Sequence, residues 1–321
     1  MTATAALRIG TRGSPLALAQ AEETRRRLAE ADDGLDPDAI EIVVIKTTGD
    51  RVRDRPLAEI GGKGLFTKEI EDALLDGRID VAVHSMKDMP TVLPPGLAMG
   101  AMLPRADPRD ALILRSGDGL ADLPAGAVVG TTSLRRQALV LHRRPDLKVA
   151  TLRGNVETRL AKLARGEVDA TLLAMAGLQR LGKDHVATCA LAPEEMLPAV
   201  AQGAIGIEMR ADDAATADRL AAIDHAETTT RVAAERAMLA VLDGSCRTPI
   251  AGLAELDGNG GLSLRGLVAR PDGGEVFEAA RGGPAADAAA AAAIGRAVGE
   301  ELLASAGAML AALALPEDGA G

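Results

Sequence analysis

The sequence contains no tryptophan, no tyrosine and only two phenylalanines in 321 residues. Its cores must therefore be built from aliphatic side chains, and it lacks the aromatic faces on which nucleic-acid bases stack. Cysteine is almost as scarce: Cys189 and Cys246 give no disulfide framework and suit a reducing compartment. Basic charge is in deficit, 36 Lys and Arg against 46 Asp and Glu, and the net charge of -10 argues against nucleic acid as the main partner. The four histidines, at 84, 142, 185 and 225, show no metal-ligand spacing with either cysteine, so no metal site is expected. No apolar run reaches spanning length, and the opening M-T-A-T-A-A-L-R-I-G lacks a signal-peptide pattern. The expectation is a cytoplasmic protein with no membrane partner and with two or three domains.

What is present reads as alternating strands and helices. Leu7 to Gly10 is a short strand, Ser14 caps a helix and Pro15 occupies its first position. Glu41 to Lys46 is a second strand, and the charged, glycine-ended stretch Arg51 to Gly62 reads as a mobile flap. Leu65 to Asp76 is a helix, and Ile79 to Val83 a strand whose far end carries H-S-M-K-D-M-P. A weak duplication follows. "IGTRGSPLALAQ" at Ile9 to Gln20 is echoed at Val129 to Val140, and Glu69 to Asp88 is echoed at Val156 to Gly177. Such alternation predicts parallel sheets in two lobes with a cleft between them. After Pro198 come a strand and the helix Ala214 to Ile223; a separate helix, Glu227 to Leu242, leads to Cys246. Ile250 to Glu278 reads as antiparallel hairpins and Ala285 to Leu315 as an alanine-rich helix, a third, α+β domain with a frayed tail.

Several residue groups point to chemistry. Cys246 lies in L-D-G-S-C-R-T-P-I, on a tight helix-to-strand connection beside Arg247. A neighbouring guanidinium favours thiolate, so this sulfur reads as a nucleophile or covalent anchor; the competing reading is a small buried hydrophobe at a corner. Arg12, Arg135, Arg136, Arg153 and Arg159 recur where a strand hands over to a helix. Helix N-termini attract anions and guanidinium forks match carboxylates, so the set suggests a receptor for a ligand with many carboxylates or phosphates. G-G-K-G-L-F at 61–66 fails the spacing of a phosphate-binding loop, and Lys63 reads better as one more cation aimed at that ligand. Asp88, among these cations, suits the role of counter-ion for positive charge developing in a transition state; a loop cap or surface salt bridge is the alternative. Cys189 reads as structural.

H-S-M-K-D-M-P, G-T-x-S-L-R-R-Q, L-R-G-N-V-x-T-R-L and G-S-C-x-x-P, in that order, resemble the porphobilinogen deaminase (hydroxymethylbilane synthase) family over most of the chain. The resemblance implies an α/β fold of two lobes like type II periplasmic binding proteins with a hinge, plus a smaller C-terminal α+β domain. It places lobe 1 at 5–103 and 200–222, lobe 2 at 104–199 and the third domain at 223–316, with a disordered tail at 317–321. It implies a dipyrromethane cofactor bound covalently to Cys246 and a catalytic role for Asp88. Lys87, Thr131, Ser133, Arg135, Arg136, Arg153 and Asp50 match cofactor-binding positions. Arg12, Ser85, Arg159, Arg180, Gln202 and Lys63 match positions that bind porphobilinogen. Glu59 stands where some members carry lysine, which departs from a basic flap. The implied protein is a monomeric enzyme of tetrapyrrole (heme, porphyrin) biosynthesis. Two other classes stay open: a non-catalytic two-lobed polycarboxylate-binding regulatory module, and a cysteine hydrolase, which would need a base that no histidine motif supplies.

Overall fold

The computed structural model describes residues 7–31, 36–51, 67–243 and 248–314, with backbone alone for Asp50, Arg51 and Ala314. The chain divides into two compact units. One runs to Ala106 and resumes at Gly203–Thr229; the other holds Asp107–Gln202 and everything from Thr230.

The first unit is built on β1 (Leu7–Thr11), α1 (Pro15–Ala31), β2 (Ile40–Val44), the single turn α2 (Thr48–Arg51), α3 (Lys68–Leu75), β3 (Val81–Ser85) and β4 (Leu97–Met102). It is completed by β10 (Ile205–Arg210) and α7 (Ala214–Ala221), and its sheet has the order β2-β1-β3-β10-β4. Alternation along β3 sorts side chains to two covered faces. Val81 and Val83 join Leu28 of α1 in one apolar cluster, while Ala82 joins Ile70 and Leu74 of α3 in another. A strand buried on both faces leaves its C-terminal end as the place where polar groups can gather.

The second unit contains β5 (Asp110–Leu114), β6 (Val128–Gly130), α4 (Leu134–Arg143), β7 (Lys148–Ala150), α5 (Val156–Ala164), β8 (Ala170–Ala174), α6 (Met175–Arg180) and β9 (Cys189–Ala190). Its sheet order, β7-β6-β8-β5-β9, is that of the first sheet element for element. The duplicated segments fall on matching parts: β1–α1 with β6–α4, and α3–β3 with α5–β8.

The sheets differ from the parallel expectation. β1 is parallel to β2 and β3, and β6 to β7 and β8, but β10 runs antiparallel to β3 and β4, and β5 to β8 and β9. Parallel neighbours need a crossover helix. β5 and β10 are each entered where the chain passes from one unit to the other without one, so their direction is reversed.

Helix α8 (Ala226–Val241) leads from the first unit into the remainder of the second, where β11 (Ile250–Leu256), β12 (Gly261–Ala269) and β13 (Val276–Pro284) form an antiparallel sheet beside α9 (Ala288–Ala314). Ala251, Leu253, Leu267 and Ala269 of this sheet share one apolar cluster with Leu112, Val129 and Leu139 of the five-stranded sheet. Met238 of α8, fully buried, fits against the sheet only because two positions lack side chains. A Cβ on Gly252 would lie 2.6 Å from its Cε, and one on Gly266 would lie 2.3 Å from its sulfur. Glu235 of α8, also fully buried, accepts hydrogen bonds from the Ala201 and Ala254 amides at 2.6 and 2.8 Å, fixing the helix to both segments. Among the described residues no helix is long and apolar enough to cross a membrane.

Candidate active site

In the first unit, the connection from β1 to α1 sets out the polar groups. Ser14 caps the helix by accepting from the Ala17 amide at 3.2 Å, and Pro15 occupies the first turn, where no amide donor is lost. Arg12 stands just before this cap. Across the sheet, β3 ends at Ser85 and turns through Met86–Asp88, so Lys87 and Asp88 emerge at the strand's C-terminal end, Asp88 exposed and Lys87 half-buried. Arg12, Ser14, Gln20, Thr67, His84, Ser85 and Asp88 together line a cavity of about 70 Å³. Gln20, 3% exposed, donates through Nε2 to Ser85 Oγ at 2.8 Å, holding the serine at the wall.

The second unit assembles a different set. Asp110 opens β5 and is fully buried. It accepts from Arg135 Nη1 and Arg136 Nη2, both at 2.7 Å, and from Gln202 Nε2 at 2.9 Å. Burial alone would raise this carboxyl, but the two guanidiniums outweigh it and hold it well below the usual carboxylate range. Arg135 also donates to the Leu197 carbonyl and Arg136 to that of Leu172, while the buried Arg135 Nε has no hydrogen-bond partner. Ser133 is the N-cap of α4, accepting from the Arg136 amide at 3.4 Å, and Thr131 Oγ1 accepts from the Ser133 amide at 3.1 Å.

One carboxylate thus faces two cations, and more cations lie near. Arg159, in the first turn of α5, has its pKa lowered to about 10 by burial and then by the charges of Arg136 and Arg153. A guanidinium disfavoured by its own neighbours marks a local excess of positive charge, which an anionic ligand relieves. That excess, with the orphan Arg135 Nε, fits a group bearing several carboxylates. Arg180 closes α6, half-buried.

The structure therefore places Arg12, Ser85 and Asp88 on one cavity in the first unit, and Thr131, Ser133, Arg135, Arg136, Arg153, Arg159 and Gln202 around Asp110 and the helix starts of the second. Cys246, Lys63 and Glu59, the greater part of the expected flap, the side chain of Asp50 and the tail lie outside the described residues. Sequence reasoning passed over Gln20, His84, Asp110 and Glu208. His84 had a signal, since it opens H-S-M-K-D-M-P; the others have none without their distant partners. Among the described residues no cluster of three or more His, Cys, Asp or Glu could hold a metal ion.

Residues 7–218 match the family model described as "Porphobilinogen deaminase, dipyromethane cofactor binding domain", and residues 229–304 match "Porphobilinogen deaminase, C-terminal domain". The porphobilinogen deaminase of Paracoccus denitrificans (strain Pd 1222) is 64% identical over 296 residues, 92% of this chain and 93% of that protein. The chloroplastic porphobilinogen deaminase of Oryza sativa subsp. japonica is 57% identical over 302 residues, 94% of this chain and 84% of its own. Among solved structures, the Bordetella pertussis BvgS periplasmic VFT2 domain aligns with a TM-score of 0.40 and 15% identity, over 68% of this chain and 86% of that one.

Proposed function

The chain belongs to the porphobilinogen deaminase family, and on that premise we propose how its own residues carry the family's reaction. The enzyme is a transferase that joins porphobilinogen units head to tail, releasing ammonia, into the linear tetrapyrrole hydroxymethylbilane. The observation that carries the reading is the match of residues 7–218 to the family's cofactor-binding domain, which spans every candidate site residue except Cys246.

A dipyrromethane held as a thioether on Cys246 supplies, when bound, the pyrrole carbon to which new rings are added. Arg135, Arg136 and Arg153, with Lys87, Thr131 and Ser133, hold its acetate and propionate groups, and the excess positive charge around Arg159 supports this; Asp50 is a further cofactor-binding position whose own negative charge keeps it off those carboxylates. Arg12, Ser85, Arg159, Arg180, Gln202 and Lys63 take the carboxylates of incoming substrate. Asp88, exposed at its cavity, presents its carboxylate to the pyrrole N–H and stabilises the cation left when ammonia departs. Preorganised negative charge at the point where positive charge develops is the main catalytic contribution asked of it.

The domain reading that goes with this is lobe 1 at 5–103 and 200–222, lobe 2 at 104–199 and the cysteine-bearing part at 223–316. The protein acts in the cytoplasm without nucleic-acid or membrane partners, its acidic charge supporting the absence of nucleic acid and its low cysteine content a reducing compartment; that it acts as a monomer is what the family resemblance implies.

Intact mass tests the function. Freshly purified protein should exceed its polypeptide mass by a two-ring cofactor and gain single-ring steps when porphobilinogen is added; Cys246→Ser should show neither. Turnover by protein at bare polypeptide mass would overturn the assignment, and an anion-binding module would give no ring steps.

A further inference from the structure

The second unit holds a buried carboxylate that the reading above leaves unused. Ala199 to Gln202 form a tight turn, closed by the Gln202 amide donating to the Ala199 carbonyl at 3.0 Å. Ala201, at its third position, is fully buried and has a φ of 58°. Positive φ at that position ordinarily calls for glycine or asparagine, because the left-handed region crowds the Cβ of an L-residue. Nothing in an alanine side chain favours such a backbone, so its surroundings must hold it there. Glu235 supplies the hold. Its Oε2 accepts from the Ala201 amide at 2.6 Å, while its Oε1 accepts from the Ala254 amide at 2.8 Å. Edge strand β11 contributes from the same side, since Gly252, two residues before Ala254, donates to the Pro198 carbonyl at 3.0 Å.

What the turn presents is Gln202. Its side chain, 1% exposed, donates through Nε2 to the Pro108 carbonyl at 2.8 Å and to Asp110 Oδ1 at 2.9 Å. That same Asp110 oxygen accepts from Arg136 Nη2, and Arg136 is one of the charges that bear on Arg159. The direction in which the chain leaves residue 201 follows from its two backbone dihedrals, so a change there swings Gln202 off Asp110. Glycine at 201 would take the same backbone unaided; here a carboxylate 34 positions away imposes it.

This step rests on the function proposed above. We propose that Glu235 is a positioning residue for porphobilinogen binding: by holding Ala201 left-handed it keeps Gln202, and with it the carboxylate–guanidinium array around Asp110, in the arrangement that takes up the substrate. Glu235 touches no reacting atom, and no bond or proton changes hands at it. Its effect is on how much of the protein stands ready. Once Ala201 is released, the ready form becomes a minor one that substrate must draw back. Apparent affinity then falls by that fraction, while the saturated enzyme turns over as before.

The test compares cofactor-loaded parent, Ala201→Gly, Glu235→Gln and the double variant, each weighed intact and melted first. Glu235→Gln offers a single acceptor oxygen to two amides. It should melt below the parent and raise KM roughly 5–30-fold, the population ratio set by the left-handed penalty, with kcat unchanged. Hydrogen exchange of the amide at position 201, followed by NMR, should be slow in the parent and quicker in this variant. Ala201→Gly alone should keep the parent's KM. The double variant should regain the parent's KM and still melt low, because glycine restores the backbone but not the lost hydrogen bond. A purely structural glutamate would lower the melting temperature without moving the KM of the folded molecules. Three outcomes overturn the proposal: the parent's KM in Glu235→Gln, a raised KM that Ala201→Gly does not recover, or rapid exchange at position 201 in the parent. If Glu235→Gln does not fold, Glu235→Asp, whose shorter side chain cannot reach both amides, takes its place. Failure of both to fold, with and without Ala201→Gly, makes Glu235 structural alone and overturns the proposal as well. A parent that gains no ring mass from porphobilinogen removes the proposed function and this role with it. Normal ring addition with an unmoved KM in Glu235→Gln removes this role alone.

Discussion

In the first five-stranded sheet the reversed strand β10 begins with Ile205, opposite Ser85 of β3; in the second, the reversed strand β5 begins with Asp110, opposite Ala174 of β8. The helices that follow the first strand of each repeat differ in the same sense. α1 opens with Pro15, Leu16 and Ala17, whereas α4 opens with Leu134, Arg135 and Arg136. One scaffold thus yields two electrostatic outcomes. The first sheet leaves an acid, Asp88, exposed at a cavity; the second buries its acid beneath two guanidiniums and keeps positive charge to spare. Sheet order decides where the first-turn residues land, and their identity decides the sign of the field there.

The sharpest way to break this contrast is Asp110→Asn, which strands Arg135 and Arg136 in the interior. Breaking a buried pair in this way costs about 3–5 kcal/mol, and denaturant unfolding measures it. A loss below ~1 kcal/mol would make Asp110 as dispensable as an apolar residue at that place. The pH dependence has a definite sign. The folded carboxyl is held below its unfolded value of about 3.9, so the stabilisation is complete above that pH and is lost as acid carries the protein down toward the folded value. The gap between parent and Asp110→Asn should close over that acid range and nowhere above it.

Asp88→Asn addresses the other side of the comparison. Turnover should fall about 10²–10³-fold, with the melting temperature unchanged because the group is exposed; near-normal turnover would remove it from the chemistry. Arg159→Leu should weaken porphobilinogen binding by roughly 1.5–3 kcal/mol, seen as a raised KM. Stability should hold or improve, since a self-repelling cation has been removed. Smallest of all, Ser14→Ala and Ser133→Ala should each cost about 1 kcal/mol in unfolding experiments, because each serine caps the corresponding helix of its repeat. Matched losses would confirm equal scaffolds under unequal charges.

The local features were legible because they depend on neighbours in sequence. Ser14 with Pro15 announced α1, the G-N-G-G and D-G-G turns announced the hairpins of β11 to β13, and the echo of Ile9–Gln20 announced the second sheet. Strand direction was not legible: β10 carries a strand pattern whichever way it runs, and only the chain's route between units reverses it. Arg135 and Arg136 were recognisable as cations at a helix start, but their shared partner Asp110 lies more than twenty positions upstream in what reads as an ordinary strand start. His84 and Glu208 are separated by 124 positions, and their pairing follows from the reversed register that sets Gly206 against His84.

Met238, seated where Gly252 and Gly266 make room for it, is closed to solvent on the helix that runs toward Cys246. Oxidation to the sulfoxide would add an oxygen for which that socket has no space. Peroxide can therefore mark this methionine only in molecules whose α8 has come away from the sheet. Peptide mapping of position 238 in aged preparations would then count, molecule by molecule, how often that part of the protein has opened.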